Sequence, residues 1–407
     1  MGSEAAIVSE QDDNSFKEGA GRDLVVMLDG TGNELGRNLS NVLKLFRISA
    51  KNDNQLVFYN PGVGTIGKPG RWRRMRHNVS KLFGLMTGWG LDANVLEAYS
   101  WLCRNWREGD RIWLFGFSRG AWTARVLGGF IHMIGLLRPD QLNLCGYALV
   151  AYKKAAEKDD LPIAWHFARV SAARRATIHF VGVWDTVGSV IVPRKDRIIP
   201  SLETLPYTEQ NPSVRIFRHA MAIDEKRRMF RVARWNSGQK FVENPFSDNE
   251  PPDQDALEMW FAGVHSDVGG GYPEEESALS KFPLIWIAEE AKEAGLAINT
   301  AMFNHLIKGH ERKGSKHHYT PPNAAADAHR SLTWPWKLLE WIPKRRKNME
   351  TRRWSLLGLY IPWGERRLID LADQVHPSVG DRREELSDYR PSNLPIPKSE
   401  SYSVEDS

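Results

Sequence analysis

Residues 112–137 read IWLFGFSRGAWTARVLGGFIHMIGLL, and this stretch determines the fold that the sequence predicts. The apolar run over residues 112–117 is typical of a strand that is covered on both faces. A helix is predicted over residues 121–137. Between the two lies GFSRG (116–120), a G-x-S-x-G pentapeptide in the strand–turn–helix setting that a nucleophile elbow requires. Ser118 is therefore the candidate nucleophile, and an ordinary strand-to-helix turn is the alternative.

Other parts of the chain repeat this alternation of strands and helices. Four more apolar runs have the length of buried strands, over residues 24–28, 55–59, 178–184 and 259–264. Helical spacing of apolar residues follows Ser40 and extends over residues 92–106 and 282–296. We therefore predict an α/β fold of the α/β-hydrolase type, in which helices cover both faces of a mostly parallel sheet and long insertions join the elements.

Four of the predicted strands end in residues that carry chemistry, namely Asp29, Ser118, Asp185 and His265. Functional groups of open parallel sheets collect at this carboxyl edge. A serine nucleophile needs a base, and the base needs an acid that orients it. The order Ser118, Asp185, His265 is the α/β-hydrolase order, so we predict His265 as the base and Asp185 as the acid.

Other residues compete for these two roles. His219 and His376 are alternative bases, although the amphipathic, helix-like stretch around His219 favours a structural role. Asp224 and Asp267 are alternative acids, and Asp267 is near enough in sequence to brace the loop of the predicted base. Asp185 has a second interpretation, because a carboxylate after a strand can cap backbone N–H groups of the next loop.

An oxyanion hole needs backbone N–H donors. The residue after the nucleophile, Arg119, is expected to supply one of them. The second is expected from the loop DGTGN (29–33), as the N–H of Gly30 or Thr31. Alternatively, Asp29 helps to hold a phosphate or a metal. The predicted reaction needs no cofactor and no metal.

Composition places the chain among globular proteins. Of its 407 residues, 42% are hydrophobic and 26% are charged, which excludes a chain that is disordered throughout. The net charge of +5 is unevenly distributed, since residues 68–81 and 308–353 together carry +14 and the rest sums to −9. The part that would carry the catalytic residues is therefore acidic, and the excess of Lys and Arg lies in two segments.

The second basic segment is also rich in tryptophan. Residues 330–363, which overlap this segment and continue beyond it, hold Trp334, Trp336, Trp341, Trp354 and Trp363 beside clustered Lys and Arg. These residue types suit the surface of an anionic bilayer, so a lipid or membrane surface is a predicted partner. The alternative is that the tryptophans pack into the core. Nucleic acid is not expected as a partner, because no nucleic-acid motif occurs and the body of the chain is acidic.

Five motifs, in this order, resemble those of an uncharacterised α/β-hydrolase family that includes the type VI secretion lipase effectors of phospholipase A type. They are LDGTGN (28–33), YNPGVGT (59–65), GFSRGA (116–121), GVWDTVG (182–188) and GVHSDVGGGY (263–272). Residues 336–343 and 376–379 are similar to the family too. The resemblance implies a triad of Ser118, Asp185 and His265 that attacks lipid acyl esters. Whether a partner or immunity protein exists is left open.

We expect one α/β-hydrolase domain over residues 22–390, with basic insertions near 66–91 and 308–363. Loose tails are expected over residues 1–21 and 391–407. Two cysteines are too few for a disulfide framework, the first residues show no signal-peptide pattern, and no apolar run could span a bilayer. We therefore expect a cytoplasmic protein that can associate with a membrane peripherally, and secretion without a signal peptide stays open.

Residues and resemblance together predict a serine hydrolase that cleaves lipid acyl esters, as phospholipases and lipases do, through an acyl-enzyme. Two alternatives remain at this point. One is an esterase or thioesterase of small soluble substrates. The other is a catalytically silent interaction protein.

Overall fold

The computed structural model describes residues 21–30, 38–62, 90–158, 161–187, 191–192, 201–202, 205–244, 247–341, 343–345 and 359–395. The first basic segment and most of both predicted tails lie outside these ranges. The division into one domain, two insertions and two tails therefore stays a prediction.

Seven parallel strands form the central sheet. In chain order the described strands are β1 (Asp23–Leu28), β2 (Gln55–Asn60), β3 (Arg111–Phe117), β4 (Ile178–Trp184), β5 (Ile191–Val192), β6 (Ser201–Leu202), β7 (Val214–Ala222), β8 (Asp255–Phe261), β9 (Lys344–Arg345), β10 (Leu359–Tyr360) and β11 (Gln374–Val375). The sheet order is β11-β8-β7-β4-β3-β1-β2, and each neighbouring pair is parallel. β5–β6 and β9–β10 are short antiparallel pairs.

Helices cover both faces of this sheet. In chain order the described α-helices are α1 (Asn41–Ile48), α2 (Leu91–Asn105), α3 (Arg119–Ile134), α4 (Cys145–Lys158), α5 (Leu161–Val170), α6 (His265–Gly269), α7 (Ala278–Glu293), α8 (Thr300–Leu306), α9 (Trp334–Leu339) and α10 (Pro377–Glu385). Ser40 caps α1, because its hydroxyl oxygen accepts a hydrogen bond from the N–H of Leu43. Among the described residues, no helix has the length and apolar character needed to cross a bilayer.

Side chains of β1 alternate between two apolar cores. Leu24, Val26 and Leu28 pack on the face that α2 and α3 cover, whereas Val25 and Met27 pack on the face of α1 and α7. Because successive residues of a strand point to opposite faces, a strand covered on both sides must be apolar throughout. This explains the continuous apolar runs in the sequence and confirms the predicted α/β class.

One prediction about a single element is wrong, because the helix-like stretch around His219 is strand β7. The strand predicted over residues 259–264 is present as β8, but it begins earlier and ends at Phe261. The polar residues inside β7 interrupt the apolar pattern from which a buried strand is predicted. Arg218 forms ion pairs with Asp255 and Glu290 at 2.8 and 2.6 Å, so these partners compensate a cation within the strand.

Candidate active site

Ser118 occupies a sharp turn between β3 and α3, at the carboxyl edge of the sheet. Its backbone has φ 58° and ψ −120°, which L-residues rarely adopt. The two glycines of the pentapeptide make this turn feasible. A Cβ atom on Gly120 would lie 2.1 Å from the carbonyl oxygen of Leu28, and one on Gly116 would lie 2.4 Å from that of Gly120. The local sequence therefore brings the serine to a strained strand-to-helix corner.

His265 is the first residue of the short helix α6, which follows β8 after a turn at Gly263. Gly263 has φ +101°, a conformation that favours glycine. The imidazole Nε2 lies 2.8 Å from Ser118 Oγ, and Nδ1 lies 2.5 Å from Asp185 Oδ2. An ionised carboxylate only accepts hydrogen bonds, so Nδ1–H donates to Asp185 and Nε2 accepts from the serine hydroxyl.

Asp185 follows β4 directly and is fully buried. The N–H of Ala222 donates to its Oδ1 at 2.9 Å, and its own N–H donates to the carbonyl oxygen of Ala220 at 2.7 Å. Burial alone would raise the pKa of this carboxyl group, but the charge of Arg367 and the hydrogen bond from His265 outweigh burial and hold the pKa well below its usual range. Asp185 is therefore ionised.

The surroundings of the histidine at this site favour its neutral form. Burial lowers the pKa of His265 below its usual 6.5, and the hydrogen bond and charge of Asp185 offset only part of that effect. Two aromatic rings enclose the imidazole, Phe117 at 4.7 Å and Phe230 at 4.8 Å between ring centroids. A neutral imidazole that accepts a hydrogen bond from a serine hydroxyl has the arrangement that a general base needs.

The alternative acids have other partners. Asp224 accepts hydrogen bonds from the N–H of Gly263 and from Arg366. Asp267 accepts them from the N–H of Val264 and from His329, so it braces the turn before His265, as one sequence interpretation expected.

The alternative bases also lie elsewhere. His219 Nδ1 lies 2.8 Å from Glu258, and its Nε2 accepts a hydrogen bond from the N–H of Thr186. Burial lowers the pKa of His219 to about 4. His376 caps α10 and stacks on Phe261 at 4.6 Å. Among the described residues, no contact joins either of these two imidazole rings to Ser118.

The loop after β1 lies beside the serine. Of the three predicted oxyanion donors, the structure describes Gly30 and Arg119. Gly30 is close, because a Cβ atom on it would lie 3.6 Å from Ser118 Cβ. However, its N–H already donates to Asp29 Oδ1 at 2.7 Å. Thr31 lies outside the described residues. Arg119 is the first residue of α3, so its amide is at the positive end of that helix.

Asp29 anchors the loop. Its Oδ2 accepts hydrogen bonds from the Ser40 hydroxyl at 2.5 Å and from the Tyr59 hydroxyl at 2.8 Å. These protein donors explain a buried carboxylate without any ligand. Within the described ranges, no group of three or more His, Cys, Asp and Glu side chains is placed to hold a metal ion.

Three residues near His265 were missed by sequence reasoning. Arg367 binds the carboxylate of Asp185 with both terminal nitrogens, at 2.5 and 2.9 Å. Glu225, which is buried, accepts a hydrogen bond from the N–H of His265 at 3.2 Å. Phe230 packs on the imidazole. No local motif marks these residues, and Arg367 is separated from Asp185 by 182 positions, so only the fold reveals the contact.

The described tryptophans of residues 330–363 differ in their exposure, because one packs on a neighbouring ring and three face solvent. Trp336 packs edge-on against Phe230 at 5.5 Å, which links it to the His265 ring. Three others are exposed, namely Trp334 by 71%, Trp341 by 63% and Trp363 by 58%. Trp354 and the earlier stretch WRRMR (72–76) lie outside the described residues. The alternative prediction that the tryptophans pack into the core is therefore wrong for the three exposed rings.

The sequence pattern of a known family matches residues 22–290, which include Ser118, Asp185 and His265. This family is described as "T6SS, Phospholipase effector Tle1-like, catalytic domain". The chain belongs to this family. The resemblance that the motifs indicated is thereby confirmed, and the family is one of hydrolases. Its match ends before Arg367 and before the exposed tryptophans.

Three individual proteins that are similar to this chain are all longer than it is. YEL023C, an uncharacterised protein of Saccharomyces cerevisiae, is 32% identical over 233 residues, which cover 53% of this chain and 33% of the yeast protein. An uncharacterised Pseudomonas aeruginosa protein of known structure is 18% identical, with a TM-score of 0.36, over 68% of this chain and 46% of that one. The Tle1 effector bound to the VgrG spike from the type 6 secretion system is 19% identical, with a TM-score of 0.34, over 64% and 53%. This chain thus spans about a third to a half of these proteins.

Proposed function

We propose that the protein is a serine hydrolase that cleaves lipid acyl esters, in the manner of a phospholipase A. The observation that carries the proposal is the continuous hydrogen-bonded line from Ser118 Oγ through His265 to Asp185. Membership in a family of phospholipase catalytic domains supports the class of substrate.

In the proposed reaction Ser118 Oγ attacks the carbonyl carbon of the ester while His265 Nε2 takes the hydroxyl proton. The tetrahedral intermediate then expels the alcohol, which receives this proton from His265, and an acyl-serine remains. Water attacks the acyl-serine with the same histidine as base, which releases the fatty acid and restores Ser118. Asp185 orients the imidazole and stabilises its protonated form.

We assign the first oxyanion donor to the N–H of Arg119, because the residue after the nucleophile opens the helix at this corner. The second belongs to the loop after β1. Thr31 is the better candidate, because the Gly30 N–H is engaged by Asp29. A lost donor of this kind typically lowers kcat by about 100- to 1000-fold.

A lipid surface is the proposed partner. We define the tryptophan surface as the exposed side chains Trp334, Leu338, Trp341, Ile361 and Trp363. The ring centroids of Trp341 and Trp363 lie 5.2 Å apart. Trp336, in the same helix as Trp334 and Leu338, packs on Phe230, which in turn packs on His265. Exposed tryptophan suits the interface of a bilayer, so the enzyme would act as a peripheral protein whose site lies next to its lipid.

The test is analysis of the products released from phospholipid vesicles by the wild-type protein and by Ser118→Ala. Free fatty acid and lysophospholipid should appear only with the wild type, and circular dichroism should show both proteins folded. Ser171→Ala is the matched control, because Ser171 follows α5 and its hydroxyl donates only to carbonyl oxygens of that helix, Phe167 O and Ala168 O, so it should be dispensable. Lipid turnover by Ser118→Ala would contradict the assignment.

The two alternatives give different results in the same preparation. A soluble esterase or thioesterase would hydrolyse short-chain esters or thioesters and leave vesicles intact. An interaction protein without catalysis would leave Ser118 unlabelled by a fluorophosphonate, which reacts with activated serines.

A further inference from the structure

A buried guanidinium group lies behind the proposed acid. Arg367 is only 2% exposed, and its two terminal nitrogens donate to four oxygen atoms. Nη1 donates to Asp185 Oδ1 at 2.5 Å and to the carbonyl oxygen of Ala222 at 2.9 Å. Nη2 donates to Asp185 Oδ2 at 2.9 Å and to the carbonyl oxygen of Phe230 at 2.5 Å. The pairing with the carboxylate is bidentate, which fixes its plane as well as its position.

Each carboxylate oxygen of Asp185 consequently has two donors. Oδ1 accepts from Arg367 and the N–H of Ala222, and Oδ2 accepts from Arg367 and His265. A carboxylate held in this way cannot rotate without breaking a charged hydrogen bond in a site that excludes water. Its oxygen therefore stays directed at His265 Nδ1.

The arginine reaches this position from a segment that docks separately on the sheet. Its neighbour Arg366 pairs with Asp224 at 3.0 Å. The amide nitrogen of Asn393 donates to the carbonyl oxygens of Arg367 and Ile223, at 3.2 and 3.0 Å. The segment thus has its own anchors at the end of β7, and it lies outside the residues that match the family.

We propose that Arg367 is a positioning residue of the hydrolase, which fixes the orientation of Asp185 and limits how strongly that carboxylate attracts a proton to His265. The proposal rests on the proposed function, since it concerns the same three side chains. Two consequences follow from the charge and from the fork geometry, and they can be measured separately.

The charge sets the protonation of the base. With Arg367 beside it, Asp185 stabilises an imidazolium less than an isolated carboxylate would, so His265 stays neutral to lower pH. Glu225 and Arg227 also face His265, the first raising and the second lowering its pKa, and both are unchanged in the Arg367 variants. Arg367→Met removes this charge and should raise the pKa of His265. The acid limb of kcat/KM for a soluble ester should then move to higher pH by about one unit.

The fork geometry sets the orientation. Arg367→Lys keeps the charge but replaces the fork by a single ammonium group, which cannot bind both oxygens in one plane. Its acid limb should stay at the wild-type pH while kcat falls by about 10- to 100-fold, because misplacement of a catalytic group by about 1 Å costs this much. KM should be unchanged, since Arg367 lies behind Asp185.

Arg366→Met is the matched control. It removes the neighbouring arginine and its pair with Asp224 but leaves the Asp185 contacts in place. If Arg367 only anchors the segment, Arg366→Met and Arg367→Met should lower Tm alike and leave the acid limb unmoved, and this result would overturn the proposal. Should Arg367→Met not fold, wild-type kcat in Arg367→Lys would overturn it equally.

A pH series of Ser118 labelling by a fluorophosphonate separates this proposal from the proposed function, because labelling needs the activated serine but no lipid. An unlabelled wild type would reject both proposals. A labelled wild type with unchanged rates and pH dependence in Arg367→Met and Arg367→Lys would reject the role of Arg367 alone. Slower labelling, with the acid limb moved only in Arg367→Met, is the expected result.

Discussion

Ser118 and Asp185 both have backbone conformations with positive φ, 58° and 40°, although neither is glycine. Such a conformation costs about 1–3 kcal/mol and persists only where its surroundings hold it. Here the N–H of Ser118 donates to Trp184 O, and the N–H of Asp185 donates to Ala220 O, so neighbouring strands hold both turns. The strain thus falls on two of the three residues proposed for catalysis.

The pH dependence of the wild-type enzyme should reflect the buried imidazole. Only neutral His265 can accept the serine proton, so activity is lost as pH falls through its pKa, which burial lowers below 6.5. We expect kcat/KM for a soluble nitrophenyl ester to rise with pH along an acid limb whose midpoint lies below 6.5 and then to stay level. A midpoint at or above 6.5 would contradict the lowering of the His265 pKa by burial. Intrinsic fluorescence at each pH provides the control for unfolding.

At the scale of elements, the sequence predicts those strands and motifs whose pattern lies within one continuous stretch of the chain. β1, β3 and β4 are apolar runs because both of their faces are buried, and the elbow after β3 is a contiguous motif. β7 has no such run, since partners from β8 and α7 compensate its Arg218. Arg367 could not be predicted for a similar reason, because its role depends on a contact with Asp185 that exists only after the chain has folded.

The approach of α3 to β1 gives a prediction about this corner. A Cβ atom on Gly120 would meet two backbone carbonyl oxygens, Leu28 O at 2.1 Å and Asp29 O at 2.7 Å, and neither can move aside as a side chain would. Gly120→Ala should therefore lower the free energy of unfolding by about 1–3 kcal/mol or more. Gly146→Ala in α4 is the control. Nothing lies within 4 Å of its added Cβ atom, and helix propensity should make it neutral or stabilising by up to about 1 kcal/mol. Urea denaturation measures both, and equal effects would contradict the prediction.

At the scale of the whole molecule, the excess of basic charge lies in two segments of the chain. The two basic segments carry +14 and the rest of the chain −9, so the net charge of +5 does not describe the part that holds Ser118. The tryptophan surface belongs to the second basic segment and its continuation. Lys and Arg near an anionic bilayer contribute about 1 kcal/mol each, and buried aromatic rings add an apolar term. The proposed contact with a lipid surface therefore combines an electrostatic and an apolar contribution.

This arrangement predicts that membrane binding and ester hydrolysis can be separated by substitution. The double variant Trp334→Ala/Trp341→Ala should bind phosphatidylglycerol vesicles at least about tenfold more weakly in sedimentation, since a loss of about 1.4 kcal/mol of apolar burial already gives that factor. Hydrolysis of vesicle lipid should fall in parallel, whereas kcat/KM for a soluble ester should not change, because neither ring contacts His265. Trp165→Ala is the control, as Trp165 is 52% exposed on α5, outside the tryptophan surface. Equal vesicle binding by the double variant, Trp165→Ala and the wild type would show that this surface does not face lipid, and binding that depends on Trp165 would place the lipid on α5 instead.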